Sequence, residues 1–267
     1  MSQVTTIVEA ALAVLGEGDA EKKAALSQSL AAVVTAQDLP VGPALLMPDR
    51  PARPSRPELR APRHMPKRRK GGSAENRIAL LHALAHIELN AVDLAWDAAG
   101  RFGPDMPRAF ALDWIGVGAD EGRHFQMLAD RLVDLGSYYG ALPAHDGLWQ
   151  AAYDTREDLA GRLSVVPLVL EARALDVSPA TIERLRGFGD DASADILDVI
   201  YKDEIGHVRV GAQWFFKIAE EQSCSAEELF DASLERFFSA SPKGPFNVPA
   251  RRQAGLPDSL YDRAQRA

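Results

Sequence analysis

Two segments of the chain repeat one arrangement of residue types: a lone glutamate, then, 33 positions later, a glutamate followed after two residues by a histidine. The members are Glu88 with Glu121 and His124, and Glu171 with Glu204 and His207. Each lies in a long stretch of helical apolar periodicity. Residues three apart share a helix face, so each Glu-x-x-His presents a carboxylate beside an imidazole. The neighbours on that face are apolar: Trp114, Val117, Leu128 and Leu132 around the first pair, and Ile196, Ile200, Val208, Gly211 and Phe215 around the second. Glu88 follows Leu81, Leu84 and Ala85, and Glu171 follows Leu168. A carboxylate aimed into a core must be protonated, paired with a cation or bound to a metal, because burying it ionised and alone is prohibitively costly.

Two helical hairpins of one plan, related by an approximate two-fold, bring four carboxylates and two imidazoles to the centre of a four-helix bundle. That set suits two divalent first-row ions. Hard oxygen donors with limited imidazole favour iron or manganese, and zinc remains compatible. The competing reading is a metal-free bundle in which the same side chains form buried salt bridges and hydrogen bonds.

The rest of the chain is arranged around these hairpins. Periodicity predicts helices over Val4 to Leu15, ended by Gly16, and Ala20 to Ala36, neither carrying recognisable chemistry. Pro40 to Gly72 is dense in proline and arginine, which excludes regular helix, and is read as an extended strap. The four long helical patterns follow. The first runs from the Ser73 N-cap through Ala74 to Ala99, stopped by Gly100, and the second from Pro107 as a first-turn residue to Leu135 before Gly136. The third runs from Tyr153 to Leu175, kinked at Pro167 and followed by a short helix from Ser178-Pro179 to Gly187 or Gly189; the fourth runs from Ala192 to Glu221. A last helix opens on a Ser225/Glu228 capping box and ends near Ala240. The expectation is an all-α chain with almost no strand, made of an N-terminal extension (1–40), the strap (41–72), the bundle (73–222) and a C-terminal helix and tail (223–267).

Composition narrows the chemistry. Cys224 is the only cysteine, so thiolate clusters and intrachain disulfides are excluded and any metal takes oxygen and nitrogen donors. No apolar run approaches the roughly 20 residues of a membrane span and no basic leader opens the chain, so a soluble, cytoplasmic protein without membrane association is expected. Arg50 to Lys70 holds nine basic residues against Glu58, a local +8, which leaves −16 on the remainder of a chain whose net charge is −8. No aromatic residues interleave that run as a nucleic-acid stacking platform requires, so its arginines are expected to pair with the acidic bundle, with RNA phosphates as the alternative.

The series Glu88, Glu121-x-x-His124, Glu171, Glu204-x-x-His207 resembles that of the ferritin-like di-iron carboxylate superfamily. The resemblance implies a ferritin-like bundle in which all six residues hold the metals. Asp120-Glu121-Gly122-Arg123-His124 is similar to the Asp-Glu-x-Arg-His of oxygen-activating members, and Asp203-Glu204-Ile205-Gly206-His207 repeats it without the arginine. In those relatives the aspartate takes a proton from a ligating histidine, which makes Asp120 and Asp203 candidates for that role, with solvent-facing positions as the alternative. Tyr201, three before Glu204, is a candidate hydrogen-bond donor or oxidisable side chain, or a plain core tyrosine; His82 and His86 fall off the ligand face and read as satisfied or surface histidines. More narrowly, the stretch Leu80 to Glu88, the strap and Pro245-Phe246-Asn247 resemble the bacterial family called domain of unknown function 455.

The superfamily resemblance implies an oxygen-dependent di-iron oxidoreductase, a hydroxylase or oxidase, acting on a small molecule or a modified RNA. It would need an external electron donor, since no dinucleotide fingerprint or cysteine cluster is present. Ferritin- or rubrerythrin-like iron handling or peroxide detoxification is one alternative. A non-enzymatic RNA-binding or scaffold protein is the other.

Overall fold

A computed structural model describes residues 4–65, 72–238 and 242–262. Among these the chain is helical, and its one extended pairing is an isolated parallel bridge between Leu59 and Ala144. It divides into two compact units, Met1–Gln150 and Ala151–Ala267.

In the first unit, α1 (Ile7–Gly16) begins later than Val4 because the Thr6 side chain accepts from Glu9 N and sets the cap there. Helix α2 (Ala20–Ala36) is capped by Asp19. Helices α3 (Ala74–Phe102) and α4 (Arg108–Asp134) pack as a hairpin, with α1 against α3 and α2 against α4. Gly100 does not stop α3. A Cβ there would lie 2.7 Å from Ala11 Cβ and 2.8 Å from Met47 Sδ, so this glycine admits α1 and the strap rather than ending the helix. Pro107 occupies the N-cap of α4, one place before the expected first turn. Gly136 does end it, at φ +76°, with Gly136 N donating to Val133 O and Ser137 N to Leu132 O.

Over its described residues the strap is extended apart from one 3-10 turn at Pro62–His64, and it lies along the first unit through specific bonds. Ala52 N donates to Leu15 O, Arg60 N to Ala144 O and Ala144 N to Glu58 O. Arg53 bonds Asn90 Oδ1 at 2.7 Å and reaches Asp93 at 3.2 Å, and Arg50 pairs with Asp146. These two arginines therefore pair with acidic and polar groups as the charge pattern predicts, while Lys67, Arg68, Arg69 and Lys70 lie outside the described residues.

In the second unit, the single helix expected over Tyr153 to Leu175 is interrupted. Helix α5 (Gly147–Asp154), in which the division between the units falls, ends before Asp158 caps α6 (Leu159–Val165). A π-helical turn, Val166–Glu171, then leads into α7 (Ala172–Gly187). The widened turn contains Pro167, whose ring has no N–H to give and which faces Gly211 so closely that a Cβ there would lie 2.4 Å from Pro167 Cβ. Helix α7 runs unbroken through Pro179, where a new helix was expected. Helix α8 (Asp191–Glu221) packs on α7 and on the π turn, and α9 (Ala226–Phe237) packs on α6. Ser225 Oγ accepts from Glu228 N at the head of α9, and Ala240, its expected end, lies outside the described residues. Two short helices, α10 (Val248–Gln253) and α11 (Asp258–Tyr261), close the chain against α7 to α9.

The helical span Ala74–Asp105 is, by length and composition alone, long and apolar enough to cross a membrane, which corrects the expectation that no segment is. Two-thirds of its apolar window, 67%, is buried inside the fold, as in a core helix. The same helix carries Glu88, Asp93 and Asp97 at buried positions.

Candidate metal centre

In the first unit the hairpin brings Glu88 of α3 to Glu121 and His124 of α4. Their donor atoms lie within 4.8 Å of one another. Both carboxylates approach the same ring nitrogen: His124 Nδ1 is 3.2 Å from Glu88 Oε2 and 3.5 Å from Glu121 Oε2. All three residues are buried, at 4%, 1% and 0% exposure, so their charges must be balanced by each other or by a cation. Burial, and then the Glu121 carboxylate, hold Glu88 above the usual carboxylate range. Burial alone would lower His124, but hydrogen bonds to Glu121 and Glu88 outweigh it and raise the imidazole above its ordinary value. In the metal-free protein a proton on His124 thus offsets one carboxylate charge, and the upward shift of Glu88 relieves the other. A divalent ion bound at the same convergence would displace the His124 proton.

The backbone behind this face is shaped to hold it. Gly122, between Glu121 and His124, faces the Ala24 carbonyl of α2 so closely that a Cβ would lie 2.7 Å from that oxygen. Gly118, one turn earlier, admits the Trp96 indole of α3, whose Nε1 donates to Ser27 Oγ, which in turn donates to Gly118 O. The N-terminal helices, in which the sequence showed no chemistry, therefore brace the helix that carries two of the donors.

Helix α3 also separates Glu88 from its other buried polar residues. At about 100° per residue, His82, His86, Asp93 and Asp97 lie well round the helix from Glu88. They meet a different set of partners. His82 Nε2 accepts from Gly140 N, and His86 bonds Tyr139 Oη and the His145 carbonyl. Burial lowers His82 to about 4; burial and then Arg53 lower His86 to about 3, so both rings are neutral, satisfied core histidines. Lys23 of α2, 1% exposed, donates to Asp93 at 2.5 Å and to Ala52 O at 2.8 Å. Asp97 binds Arg101, which also reaches Pro48 O. Sequence reading missed this buried network; the acidic and histidine spacing along α3 was its one signal.

In the second unit, Glu204 and His207 lie buried on α8, at 6% and 3% exposure, with His207 Nδ1 3.9 Å from Glu204 Oε1. Glu171 is the last residue of the π turn and is half-buried. The Glu204 to His207 separation is longer than the 3.5 Å between Glu121 and His124. In both Glu-x-x-His pairs the imidazole turns Nδ1 toward the carboxylate. Asp120 is part-exposed and accepts from Arg123, and Asp203 is half-buried. Tyr201 directs its hydroxyl to the C-terminal segment, where it accepts from Asn247 Nδ2 at 3.0 Å.

A family described as "Protein of unknown function (DUF455)" matches residues 16–262. The chain belongs to that family. A Haemophilus influenzae relative, described as an uncharacterized protein, is 40% identical over 215 residues, covering 78% of this chain and 74% of the relative. No solved structure matches the chain. In this member of DUF455, a buried cluster of carboxylates and an imidazole capable of holding a metal ion is thus set inside an all-helical fold.

Proposed function

We propose that this chain is a ferritin-like di-metal oxidoreductase, a hydroxylase or oxidase, whose two hairpins each give a Glu and a Glu-x-x-His to one dinuclear centre. The observation that carries the proposal is the convergence of Glu88 and Glu121 on His124 Nδ1 in a buried position. Two carboxylates and one imidazole nitrogen form a donor set for a divalent first-row ion. Its counterpart is read from the matched spacing of Glu171, Glu204 and His207. When bound, an iron pair in such a donor set supplies redox chemistry with dioxygen.

The protein's own part is to hold the donors and to keep water out. Glu88 and Glu121 supply negative charge in a site where burial strengthens every electrostatic interaction. His124 and His207 present Nδ1, leaving Nε2 of each ring to be oriented from behind. Leu81, Ala85, Val92 and Leu128, all buried, give the donor faces of α3 and α4 an apolar surround that excludes competing solvent. An external electron donor is part of the proposal, because a lone cysteine provides no resident redox cluster.

Anaerobic addition of ferrous iron to metal-free protein, followed by air, tests this reading. About two irons per chain and a charge-transfer absorption that appears with oxygen are expected. Accumulation of many irons per chain would assign the protein to iron storage instead. If no first-row divalent ion binds, and Glu121→Ala and His207→Ala change nothing, the metal reading fails.

A further inference from the structure

Helix α7 passes through Pro179 without a break, although proline has no N–H to offer the carbonyl four residues earlier, that of Leu175. The bond comes from elsewhere in the second unit. Asn247 Nδ2 donates to Leu175 O at 3.0 Å. The same amide nitrogen has a second hydrogen and donates it to Tyr201 Oη of α8, also at 3.0 Å. One side chain therefore links the helix that follows Glu171 to the helix that carries Glu204 and His207, and it does so one turn before Glu204.

Asn247 is itself fixed. Its backbone N–H donates to Asp176 Oδ1, and its Oδ1 accepts from Ala250 N to cap α10. Asp176 is clasped from the other side by Arg251, whose Nε and Nη2 bond the two carboxylate oxygens at 2.9 and 2.8 Å. Both side chains are almost fully buried, at 2% for Arg251 and 1% for Asp176. The guanidinium also lies against the Phe246 and Tyr261 rings, with centroids at 4.9 and 4.4 Å. A bidentate, aromatic-flanked pair of this kind is a rigid anchor, so the amide is held at a defined place.

We propose that Asn247 is a positioning residue: its amide supplies the hydrogen bond that Pro179 cannot, ties α7 to α8, and thereby sets the spacing of Glu171 from Glu204 and His207. The consequence for metal binding rests on the dinuclear reading above; the tie itself does not. It gives a physical role to the Pro245-Phe246-Asn247 motif, which the ligand pattern leaves unused.

The test uses the full chain in metal-free form, with cobalt(II) as the probe and its visible absorption as the readout of each half. Asn247→Ala is expected to retain the first cobalt and weaken the second by about tenfold or more, the size of effect seen when a group that orients a ligand is lost. Its melting temperature is expected to fall by about 2 to 4 °C. Pro179→Ala restores an N–H opposite Leu175 O, so adding Asn247→Ala to it should cost less than half that melting shift. Tyr201→Phe removes only the arm to α8, and is expected to weaken the second cobalt while leaving the Pro179 coupling intact. Equal melting losses in both backgrounds would overturn the hydrogen-bond substitution. Unchanged cobalt affinity in Asn247→Ala with a lowered melting temperature would reduce the residue to a purely structural one. If the wild-type chain takes up no cobalt, the dinuclear reading fails, and the melting cycle alone decides whether the tie is real.

Discussion

The two Glu/Glu-x-x-His sets share a spacing but not a state. In the first unit, Glu88 and Glu121 have closed on His124 Nδ1 at 3.2 and 3.5 Å. In the second, the Glu204 to His207 separation is 3.9 Å, and Glu171 sits on a π turn rather than on a regular helix. The difference follows from what stands behind each set. Helix α4 is pressed by the α2 backbone at Gly122, and α3 is tied to α2 through Lys23 and Asp93. The Glu171 turn is instead shaped by Pro167 and Gly211 and followed by a helix whose interrupted ladder is completed by the distant Asn247. The first set is thus braced by a neighbouring helix, and the second by a proline-bearing turn and a distant amide. That view is open to direct attack.

The largest effect expected is on metal uptake. Glu121→Gln keeps shape but replaces a carboxylate oxygen by a neutral amide at the more buried of the two carboxylates, so loss of one metal per chain is expected in a titration by elemental analysis. The same change should raise the melting temperature of the metal-free protein, because the Glu121 charge is one reason Glu88 is held above its usual range. A site maintained for stability would show the reverse sign. Glu204→Gln, at the looser pair, should abolish its metal with a smaller change in apo stability.

Next in size is the brace behind the tight half. Lys23→Ala leaves Asp93 buried with only Arg53 beside it, and breaking a buried pair from one side costs about 3 to 5 kcal/mol. Chemical denaturation would read this directly. The double change Lys23→Met with Asp93→Leu should recover most of the loss, since the desolvation of both charges is then avoided. A small effect of Lys23→Ala would mean that the N-terminal helices do not brace α3, and the comparison between the halves would lose its cause.

A third pair of variants compares the halves position for position. Gly122→Ala forces a methyl against a backbone carbonyl, and Gly211→Ala forces one against the Pro167 ring in the π turn. Each overpacks a helix crossing, at about 1 to 3 kcal/mol. Gly122→Ala should disturb the Glu121 and His124 face, whereas Gly211→Ala should displace Glu171. Metal competition assays that separate the two halves would distinguish them, and equal loss at both halves would argue that the turn and the crossing are not independent.

How much of this was legible in the chain follows from where each interaction lies in sequence. The Glu121 and His124 face is local: a three-residue spacing on an apolar stripe, and it stands where periodicity places it. The separation of Glu88 from His82, His86 and Asp93 is also local, since helical rotation carries them to another face. The interruption between α5 and α6 had a signal, the polar run Asp154 to Asp158 with Asp158 as an N-cap, which a reading by long periodicity passes over; the π turn had none, because Pro167 signals only a kink. The reading of Pro179 as a helix start fails for a different reason. Its missing donor is replaced by Asn247, a tertiary bond that no window along α7 contains. Gly100 misleads in the same way: a glycine that ends a helix and one that admits a neighbouring helix look alike until the neighbour is known.

The smallest expected effect separates the two faces of α3 by pH. His82 is held neutral by burial, its value lowered from 6.5 to about 4. The unfolded chain therefore binds a proton that the folded chain refuses, and the stability from neutral His82 is complete above the unfolded value and lost as pH falls toward the folded one. Between pH 6.5 and 5.5 this amounts to about 1 kcal/mol. His82→Asn keeps an acceptor for Gly140 N but cannot titrate, so its stability should be flatter across that window than the wild type's. Metal uptake at pH 7 should not change, because His82 lies round the helix from Glu88. Loss of metal in His82→Asn would show that the outer face of α3 and its ligand face are mechanically coupled, and that the tight half depends on the loop at Gly140 as well as on the brace from α2.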